Sequence, residues 1–217
     1  MPCGAPRRGG GKSHVKVKVC GITNAGDARE AVRCGTDALG FIFAKESPRY
    51  VSREVARAII GDLPPFVTPV GVVVNQSRES IAKLITETGI RCIQFHGDEV
   101  PADLNGYSIP VYKVFRVGNG FEPEGVKRYP GIAYHLDAYA GDIRGGTGTG
   151  FDWSIARRVS RYGRVILSGG IGPDNVVDAI QQVHPYAVDV NSAVESSPGK
   201  KDSQRLRALF HTLRTFH

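Results

Sequence analysis

The chain has 217 residues, 41% of them hydrophobic and 23% charged, and a formal net charge of +7. This length suits one large α/β domain or two small ones, and the composition is ordinary for a soluble globular protein. No apolar run is long enough to span a membrane, and the N-terminus lacks the apolar segment of a signal peptide. The four cysteines form no CxxC pair, which argues against a disulfide framework or a zinc cluster and favours a reducing, cytoplasmic setting.

The net charge has an uneven origin. Residues 1–14, MPCGAPRRGGGKSH, are rich in Gly, Pro and Arg without periodicity, which predicts a disordered basic tail or an expression remnant. Arg7, Arg8 and Lys12 supply three of the seven net charges. The remaining +4 is spread without basic runs or interleaved aromatics, so an anionic small molecule explains it as well as nucleic acid does.

From residue 15 to the end at 217, short β-rich runs alternate with helical patterns. In the first helix Asn24 is a plausible N-cap and Gly35 ends the helix. A second helix is predicted from Ser52 to Gly61, and Pro173 is expected to open the seventh helical segment. The segments after the fourth and fifth strands are only weakly patterned. The predicted strands are 15–20, 37–43, 66–74, 92–95, 109–115, 132–137, 164–168 and 186–190.

The strands indicate the fold. Most are near-continuous apolar runs rather than alternating ones, which is typical of a parallel sheet covered on both faces. Eight βα units in about 200 residues lie at the lower end of the range for a (β/α)8 barrel. An open doubly wound sheet is the alternative, but it usually has five to seven strands. We therefore predict a single-domain, parallel eight-stranded (β/α)8 barrel over residues 15–217.

Polar and titratable residues cluster where the predicted strands end, which is where such barrels hold their chemistry. Cys20 ends the first strand just before a glycine and a helix N-terminus, which could lower the pKa of its thiol, or it could simply fill space. Asp137 ends the sixth strand as a general acid/base candidate or a capping carboxylate. Arg49 could bind a carboxylate or be a solvated charge. Gln94 and His96, after the fourth strand, are candidate substrate-binding residues, and His96 could equally be structural.

Three loops of small residues suggest a phosphate site. The stretch 137–153 is rich in glycine and could be a lid or a flexible surface loop. Two further small-residue turns follow strands seven and eight, where barrels often bind phosphate through backbone N–H groups. No HExxH, GxGxxG or P-loop spacing occurs, so no metal or nucleotide cofactor is expected. The candidate phosphate-binding residues are Gly145, Gly146, Gly148, Ser168, Gly169, Gly170, Asn191, Ser192 and Ala193.

The chain contains, in this order, the motifs KVCGITN, DALGFIFAKESPRYVS, IQFHGDE, GGTGTGFDW, ILSGGIGPDNV and PGKKD. The same order is seen in phosphoribosylanthranilate isomerases. The chain resembles this family from residue 15 to about residue 210. The resemblance implies an Amadori rearrangement in tryptophan biosynthesis that needs no cofactor or metal. It implies Asp137 as general acid, Cys20 as general base and Arg49 as the ligand of the anthranilate carboxylate, with the small-residue turns binding phosphate. A monomer or homodimer is expected.

Two positions depart from the family pattern. Ala193 replaces a usual glycine and would be strained if its φ angle were positive. Thr149-Gly150 replaces the usual Lys-Thr of the glycine-rich loop. Two other hypotheses for the function remain open. A related histidine-pathway isomerase would be expected to carry Asp where this chain has Cys20, and a basic nucleic-acid-binding protein is the rival from another class.

Overall fold

The computed structural model describes residues 15–118, 120–129, 133–138 and 152–216. The predicted basic tail, residues 1–14, lies outside these ranges. Gly145, Gly146, Gly148 and Thr149-Gly150 of the glycine-rich loop also lie outside them. The interpretations given to those segments therefore stay predictions.

Eight parallel strands close into a barrel, in which each strand pairs with the next along the chain and the eighth pairs with the first. This topology confirms the predicted (β/α)8 barrel and rules out the open doubly wound sheet. The strands are β1 (Lys16–Val19), β2 (Ala38–Ile42), β3 (Thr68–Val73), β4 (Cys92–Phe95), β5 (Val111–Val117), β6 (Tyr134–Ala138), β7 (Val165–Leu167) and β8 (Ala187–Val190).

Six α-helices lie in the described residues: α1 (Ala25–Cys34), α2 (Arg53–Gly61), α3 (Arg78–Thr88), α4 (Trp153–Val159), α5 (Val176–Val183) and α6 (Ser203–Phe216). The predicted caps are confirmed. The Asn24 side chain accepts a hydrogen bond of 2.9 Å from the backbone N–H of Asp27, which satisfies a free donor of the first turn. At the other end, Gly35 has a φ of 106°, a left-handed conformation that glycine adopts without strain.

The structure refines one expectation and corrects another. The weakly patterned segments after β4 and β5 are helical, as expected, and form the short 3-10 helices Pro101–Leu104 and Pro123–Arg128. Pro173 does not open a helix, because α5 begins at Val176 and Pro173 lies in the preceding turn. In that turn the Asn175 side chain accepts a hydrogen bond from Gly172 and donates one to the Gly170 carbonyl. These side-chain bonds fix the turn, so the helix starts three residues later than the proline suggests.

After β8 the chain forms a 3-10 helix, Ser192–Val194, and then a two-stranded antiparallel hairpin that the sequence did not indicate. The hairpin consists of β9 (Glu195–Ser197) and β10 (Lys200–Lys201). It lies beside the carboxyl end of the barrel, because the Gly199 backbone lies close to the Pro48 carbonyl and the Thr23 side chain. The hairpin therefore adds side chains to the end of the barrel where the candidate residues meet.

Most buried apolar side chains form one core between the strands and the surrounding helices, and a smaller cluster fills the barrel interior around Val70, Cys92, Tyr112 and Ile166. Side chains alternate along a strand, so Lys18 and Cys20 of the first strand segment share the interior face. Lys18 is the register partner of Asp189 on β8. The middle of the barrel interior is therefore polar. No helix in the described ranges is both long and apolar enough to cross a membrane.

Candidate active site

Cys20 follows the last residue of β1, and its backbone N–H donates a 2.9 Å hydrogen bond to the carbonyl of Val190 on β8. The side chain is 5% exposed and lies over Gly40 of β2. A Cβ atom added at Gly40 would come within 2.6 Å of the Cys20 Sγ and 3.0 Å of the Lys18 Nζ. Only a glycine at this point of β2 leaves room for the thiol and the ammonium group together.

Lys18 and Asp189 form an ion pair of 2.7 Å inside the barrel, with their side chains about 5–6% exposed. Burial lowers the pKa of Lys18, but Asp189 together with Cys20 and Tyr112 outweighs that effect, so the pKa is raised and the lysine stays protonated. His135, also fully buried, has its Nε2 atom 3.6 Å from the same carboxylate and 2.8 Å from the Ser168 Oγ. Burial and the nearby Lys18 hold the pKa of His135 well below its usual value, so this imidazole is neutral.

The charge environment of Cys20 differs from the one expected from sequence. Burial raises the pKa of the thiol, and the charge of Lys18 offsets this only in part. In the ligand-free site the pKa of the thiol is therefore raised rather than lowered. A cationic intermediate bound beside the thiol would favour the thiolate, because an opposite charge within a few ångströms stabilises the charged form.

Asp137 lies in β6, near the carboxyl end of that strand, with its side chain 28% exposed. One carboxyl oxygen is 2.9 Å from the Ser168 Oγ and the other is 3.5 Å from the His96 Nε2. Burial raises the pKa of Asp137, and the hydrogen bond with Ser168 opposes that rise. A carboxyl group with a raised pKa can hold a proton and donate it, as a general acid must.

Hydrogen bonds from neighbouring side chains fix the orientation of the His96 imidazole. The Tyr112 hydroxyl donates to the Gln94 Oε1 at 2.9 Å, which leaves the Gln94 amide nitrogen to donate to the His96 Nδ1 at 3.2 Å. The proton of the imidazole is then on Nε2, which faces Asp137. Burial and nearby cations lower the pKa of His96 to about 4, so the ring is neutral near pH 7. Gln94 is itself 1% exposed and positions His96, while its predicted contact with substrate stays a prediction.

Arg49 lies in the loop after β2, and its Cδ atom lies close to Gly21. Its Nε and Nη2 atoms bind the Glu195 carboxylate at 2.7–3.0 Å, so the guanidinium is fixed by the hairpin. Lys201 donates to the same carboxylate at 2.9 Å and to the Asn191 Oδ1 at 3.0 Å. Burial lowers the pKa of Lys201, and Glu195 opposes that shift. Arg49 thus reaches the mouth of the barrel, as predicted, with a carboxylate partner that the sequence did not reveal.

The turn after β7 depends on glycine. Gly169 and Gly170 have φ angles of 87° and 76°, and a Cβ atom on Gly169 would lie 2.5 Å from the backbone nitrogen of Ala138. These two residues can present their backbone closely to a ligand, as the phosphate hypothesis requires. Ser168 differs from that hypothesis in one respect. Its hydroxyl faces the interior, where it contacts Asp137 and His135.

The condition under which Ala193 would be strained, a positive φ angle, is not met. Asn75 and His184 are the described non-glycine residues with positive φ, whereas Ala193 lies in the 3-10 helix Ser192–Val194. Its methyl group lies over Gly172 in the turn before α5, where an added Cβ would approach it to 2.7 Å. The methyl group is therefore accommodated by a glycine on the neighbouring loop, and Ser192 and Ala193 remain candidates for backbone contacts to phosphate.

Sequence reasoning missed Lys18, His135, Asp189, Glu195 and Lys201. The sequence contained a signal for two of them. Lys18 is two residues before Cys20 in VKVKVC, which places both side chains on the same face of the strand, and Asp189 is a single charged residue in an otherwise apolar strand. The hairpin residues gave no such signal. Within the described ranges, no group of three or more His, Cys, Asp or Glu residues has an arrangement that could hold a metal ion.

Known proteins resemble this chain along most of its length. Residues 17–212 match the family model of N-(5'-phosphoribosyl)anthranilate (PRA) isomerase. The N-(5'-phosphoribosyl)anthranilate isomerase of Citrifermentans bemidjiense is 46% identical over 195 residues, which are 90% of this chain and 95% of the relative. The crystal structure of phosphoribosyl anthranilate isomerase from Thermotoga maritima superposes with a TM-score of 0.84 at 39% identity, covering 93% of this chain and 99% of that one.

A second solved structure is that of a phosphoribosyl anthranilate isomerase in complex with reduced 1-(o-carboxyphenylamino)-1-deoxyribulose 5-phosphate. It has a TM-score of 0.83 and 38% identity, and covers 93% of this chain and 99% of that one. The family model, the relatives and the barrel with its candidate residues all agree. This chain belongs to the N-(5'-phosphoribosyl)anthranilate isomerase family.

Proposed function

We propose that Cys20 is the general base and Asp137 the general acid with which this isomerase of tryptophan biosynthesis carries out its Amadori rearrangement. The reaction converts N-(5-phosphoribosyl)anthranilate to 1-(2-carboxyphenylamino)-1-deoxyribulose 5-phosphate. One observation carries the assignment. Two groups that titrate lie at the mouth of one barrel. Burial favours the protonated form of both Asp137 and Cys20, but at Cys20 the cation of Lys18 opposes that effect.

In the first step Asp137 donates its proton to the furanose ring oxygen. The bond between that oxygen and C1 breaks, and the nitrogen lone pair forms the C1–N double bond of an iminium ion. His96, neutral and with its Nε2 atom 3.5 Å from the other carboxyl oxygen, leaves the acid without a cationic neighbour on that side. A nearby positive charge would lower the pKa of Asp137 and weaken it as a proton donor.

In the second step the Cys20 thiolate removes the proton from C2. The C–H electron pair becomes the C1–C2 double bond, and the π electrons of the iminium return to nitrogen, which gives the enolamine. Loss of the 2-hydroxyl proton and gain of a proton at C1 then yield the ketone. The iminium makes the C2 proton acidic, so a thiolate is a strong enough base.

Binding contacts follow from the same arrangement. Arg49, fixed by Glu195, is proposed to bind the anthranilate carboxylate, with Gln94 and His96 close to the sugar. The turns at Gly169-Gly170 and Asn191–Ala193, together with Gly145, Gly146 and Gly148 outside the described residues, are proposed to bind the phosphate. The related structure with a reduced phosphorylated product analogue supports a phosphorylated ligand for this chain.

The remaining proposals concern the setting of the enzyme. We propose a cytoplasmic enzyme that binds no nucleic acid, with residues 1–14 as a basic tail that takes no part in catalysis. A monomer or a homodimer is consistent with a Thermotoga maritima relative that is described as dimeric and from which monomers were generated. Sedimentation equilibrium of the full chain distinguishes the two states.

The acid–base assignment is tested by supplying phosphoribosylanthranilate and following the ketosamine product by NMR. We expect Cys20→Ser and Asp137→Asn each to lower kcat by a factor on the order of 10²–10⁴, the usual contribution of a positioned acid or base. Cys34→Ser, a half-buried cysteine on α1, is the matched control and should keep the parental rate. With substrate deuterated at C2, Cys20→Ser should show a primary isotope effect and Asp137→Asn a small one. A Cys20→Ser rate within a few-fold of the parent would refute the thiol as base.

A further inference from the structure

The geometry points to a role for a residue that the acid–base mechanism does not use. We propose that Lys18 is a positioning residue for the reaction: its ammonium group, held by Asp189 inside the barrel, stabilises the thiolate of Cys20. The proposal rests on the proposed role of Cys20 as base. Lys18 acts through that thiol and, at about 5% side-chain exposure, is buried beneath the mouth of the barrel.

Three structural facts place the ammonium group beside the thiol. Lys18 and Cys20 are two residues apart and so project from the same face of β1. The Sγ and Nζ atoms both lie over Gly40, within 2.6 Å and 3.0 Å of where a Cβ would be. Asp189, the register partner of Lys18, holds the ammonium group in place through the 2.7 Å ion pair. The lysine cannot swing away into solvent without breaking that pair.

The charges around the thiol do not cancel. Glu195 pairs with both Arg49 and Lys201, and Asp189 pairs with Lys18, so three cations face two carboxylates. A thiolate would supply the missing negative charge. Tyr112 does not supply it, because burial raises the pKa of that phenol well above its usual value. The titratable groups that face Cys20 are Lys18 on β1, Asp189 on β8, Tyr112 on β5, Lys201 on β10 and Arg49 in the loop after β2.

A purely structural role explains the ion pair poorly. Taking two charges out of water is costly, and well-packed apolar residues of similar size often stabilise a core as well or better. The buried ion pair of lysine and aspartate is therefore expected to add little to the stability of the folded barrel. Beside a thiol that must lose its proton, the same pair has a direct use, because an opposite charge nearby favours the ionised form.

The test measures the thiol pKa in the ligand-free protein, independently of catalysis. The ultraviolet absorbance of the thiolate is titrated against pH, and the same protein carrying Cys20→Ser is subtracted to remove the other cysteines. We expect Lys18→Met to raise the pKa of Cys20 by at least about one unit, which is tenfold less thiolate at a fixed pH. Asp189→Asn should lower that pKa, since the anion that opposes the thiolate is gone. The acidic limb of kcat/KM should move in the same two directions.

Lys16→Met is the matched control, because Lys16 lies on the same strand but pairs with Asp37 in an exposed position. It should leave both titrations unchanged. If Lys18→Met fails to fold, the double variant Lys18→Met with Asp189→Asn removes the pair without leaving a buried charge. Its thiol pKa should still exceed the parental value, because the charge of Lys18 acts on the thiol more strongly than the charge of Asp189 does.

An unchanged or lower pKa in Lys18→Met, or in the double variant, would overturn the proposal. So would shifts of the same sign in Lys18→Met and Asp189→Asn, which general loosening of the barrel would produce. The two proposals fail separately. Opposite pKa shifts together with an active Cys20→Ser enzyme would leave the effect of Lys18 on the thiol standing and remove the thiol as base.

Discussion

Gly40 of β2 offers a sharp test of how the base is positioned. In Gly40→Ala the new methyl group would lie 2.6 Å from the Cys20 Sγ, 3.0 Å from the Lys18 Nζ and 3.1 Å from the Cys20 Cα. The sulfur must rotate away or the strands must separate, and overpacking of this kind costs about 1–3 kcal/mol. For a barrel of this size that free energy lowers Tm by roughly 2–12 °C.

The larger effect should be on catalysis. A sulfur that moves by about 1 Å is no longer aligned with the C2 proton, and misplacement of this order costs about a hundredfold in rate. KM should change little, because the nearest neighbours of the new methyl group are Cys20 and Lys18 rather than Arg49 or the turn at Gly169-Gly170. Steady-state kinetics and thermal unfolding measure the two effects on the same preparation.

Gly61→Ala is the control, since Gly61 ends α2 and has no atom within 4 Å of an added Cβ. It should keep the parental kcat and gain up to about 1 kcal/mol of stability from the smaller entropy of the unfolded chain. A Gly40→Ala enzyme with the parental kcat would show that the thiol does not need its present position, and the reasoning about Cys20 would fail.

Three further outcomes follow from the site. Ser168→Ala removes a hydrogen bond that lowers the pKa of Asp137. That pKa should rise, so the alkaline limb of the pH–rate profile should move to higher pH. An unchanged limb would argue against Asp137 as the acid. Glu195→Gln weakens the ion pair that fixes Arg49 and should raise KM about tenfold, which corresponds to the loss of one charge-assisted hydrogen bond. Unchanged substrate binding would argue against Arg49 as the residue that binds the anthranilate carboxylate. Deletion of residues 1–14 should leave kcat and Tm unchanged, and a loss of either would show that the tail packs against the barrel.

The sequence predicted the fold well because the barrel is built from local signals. Each apolar run is long enough for one strand, and Asn24, Ser52 and Gly35 mark helix ends through hydrogen bonds and conformations that involve only neighbouring residues. Pro173 misled because the Asn175 side chain, not the backbone of a helix, satisfies the turn around it. A side-chain hydrogen bond of that kind does not alter the hydrophobic periodicity of the sequence, so the pattern does not reveal it.

The site was predicted in part for a similar reason. Cys20 and Asp137 stand beside strand ends, so their place in the chain suggests their place in the barrel. The partners that control them come from distant segments. Lys18 meets Asp189 across 171 positions, and Arg49 meets Glu195 across 146. The sequence alone does not give the register of β1 against β8. A single charged residue in an apolar strand therefore cannot be recognised from sequence as one member of an ion pair.

The two sides of the barrel mouth show why a thiol and a carboxyl group can share one site. The ordinary pKa of a thiol lies far above that of a carboxyl group, so a thiol buried at this position depends more on a cation beside it than a carboxyl group would. Lys18 provides that cation, and at Asp137 the charge of Asp189 raises the pKa by more than the charge of Lys18 lowers it. There, burial favours the proton, and His96 is neutral because burial and the surrounding cations lower its pKa to about 4. The ammonium group that is proposed to help Cys20 ionise thus also helps to keep His96, the neighbour of the proposed acid, uncharged.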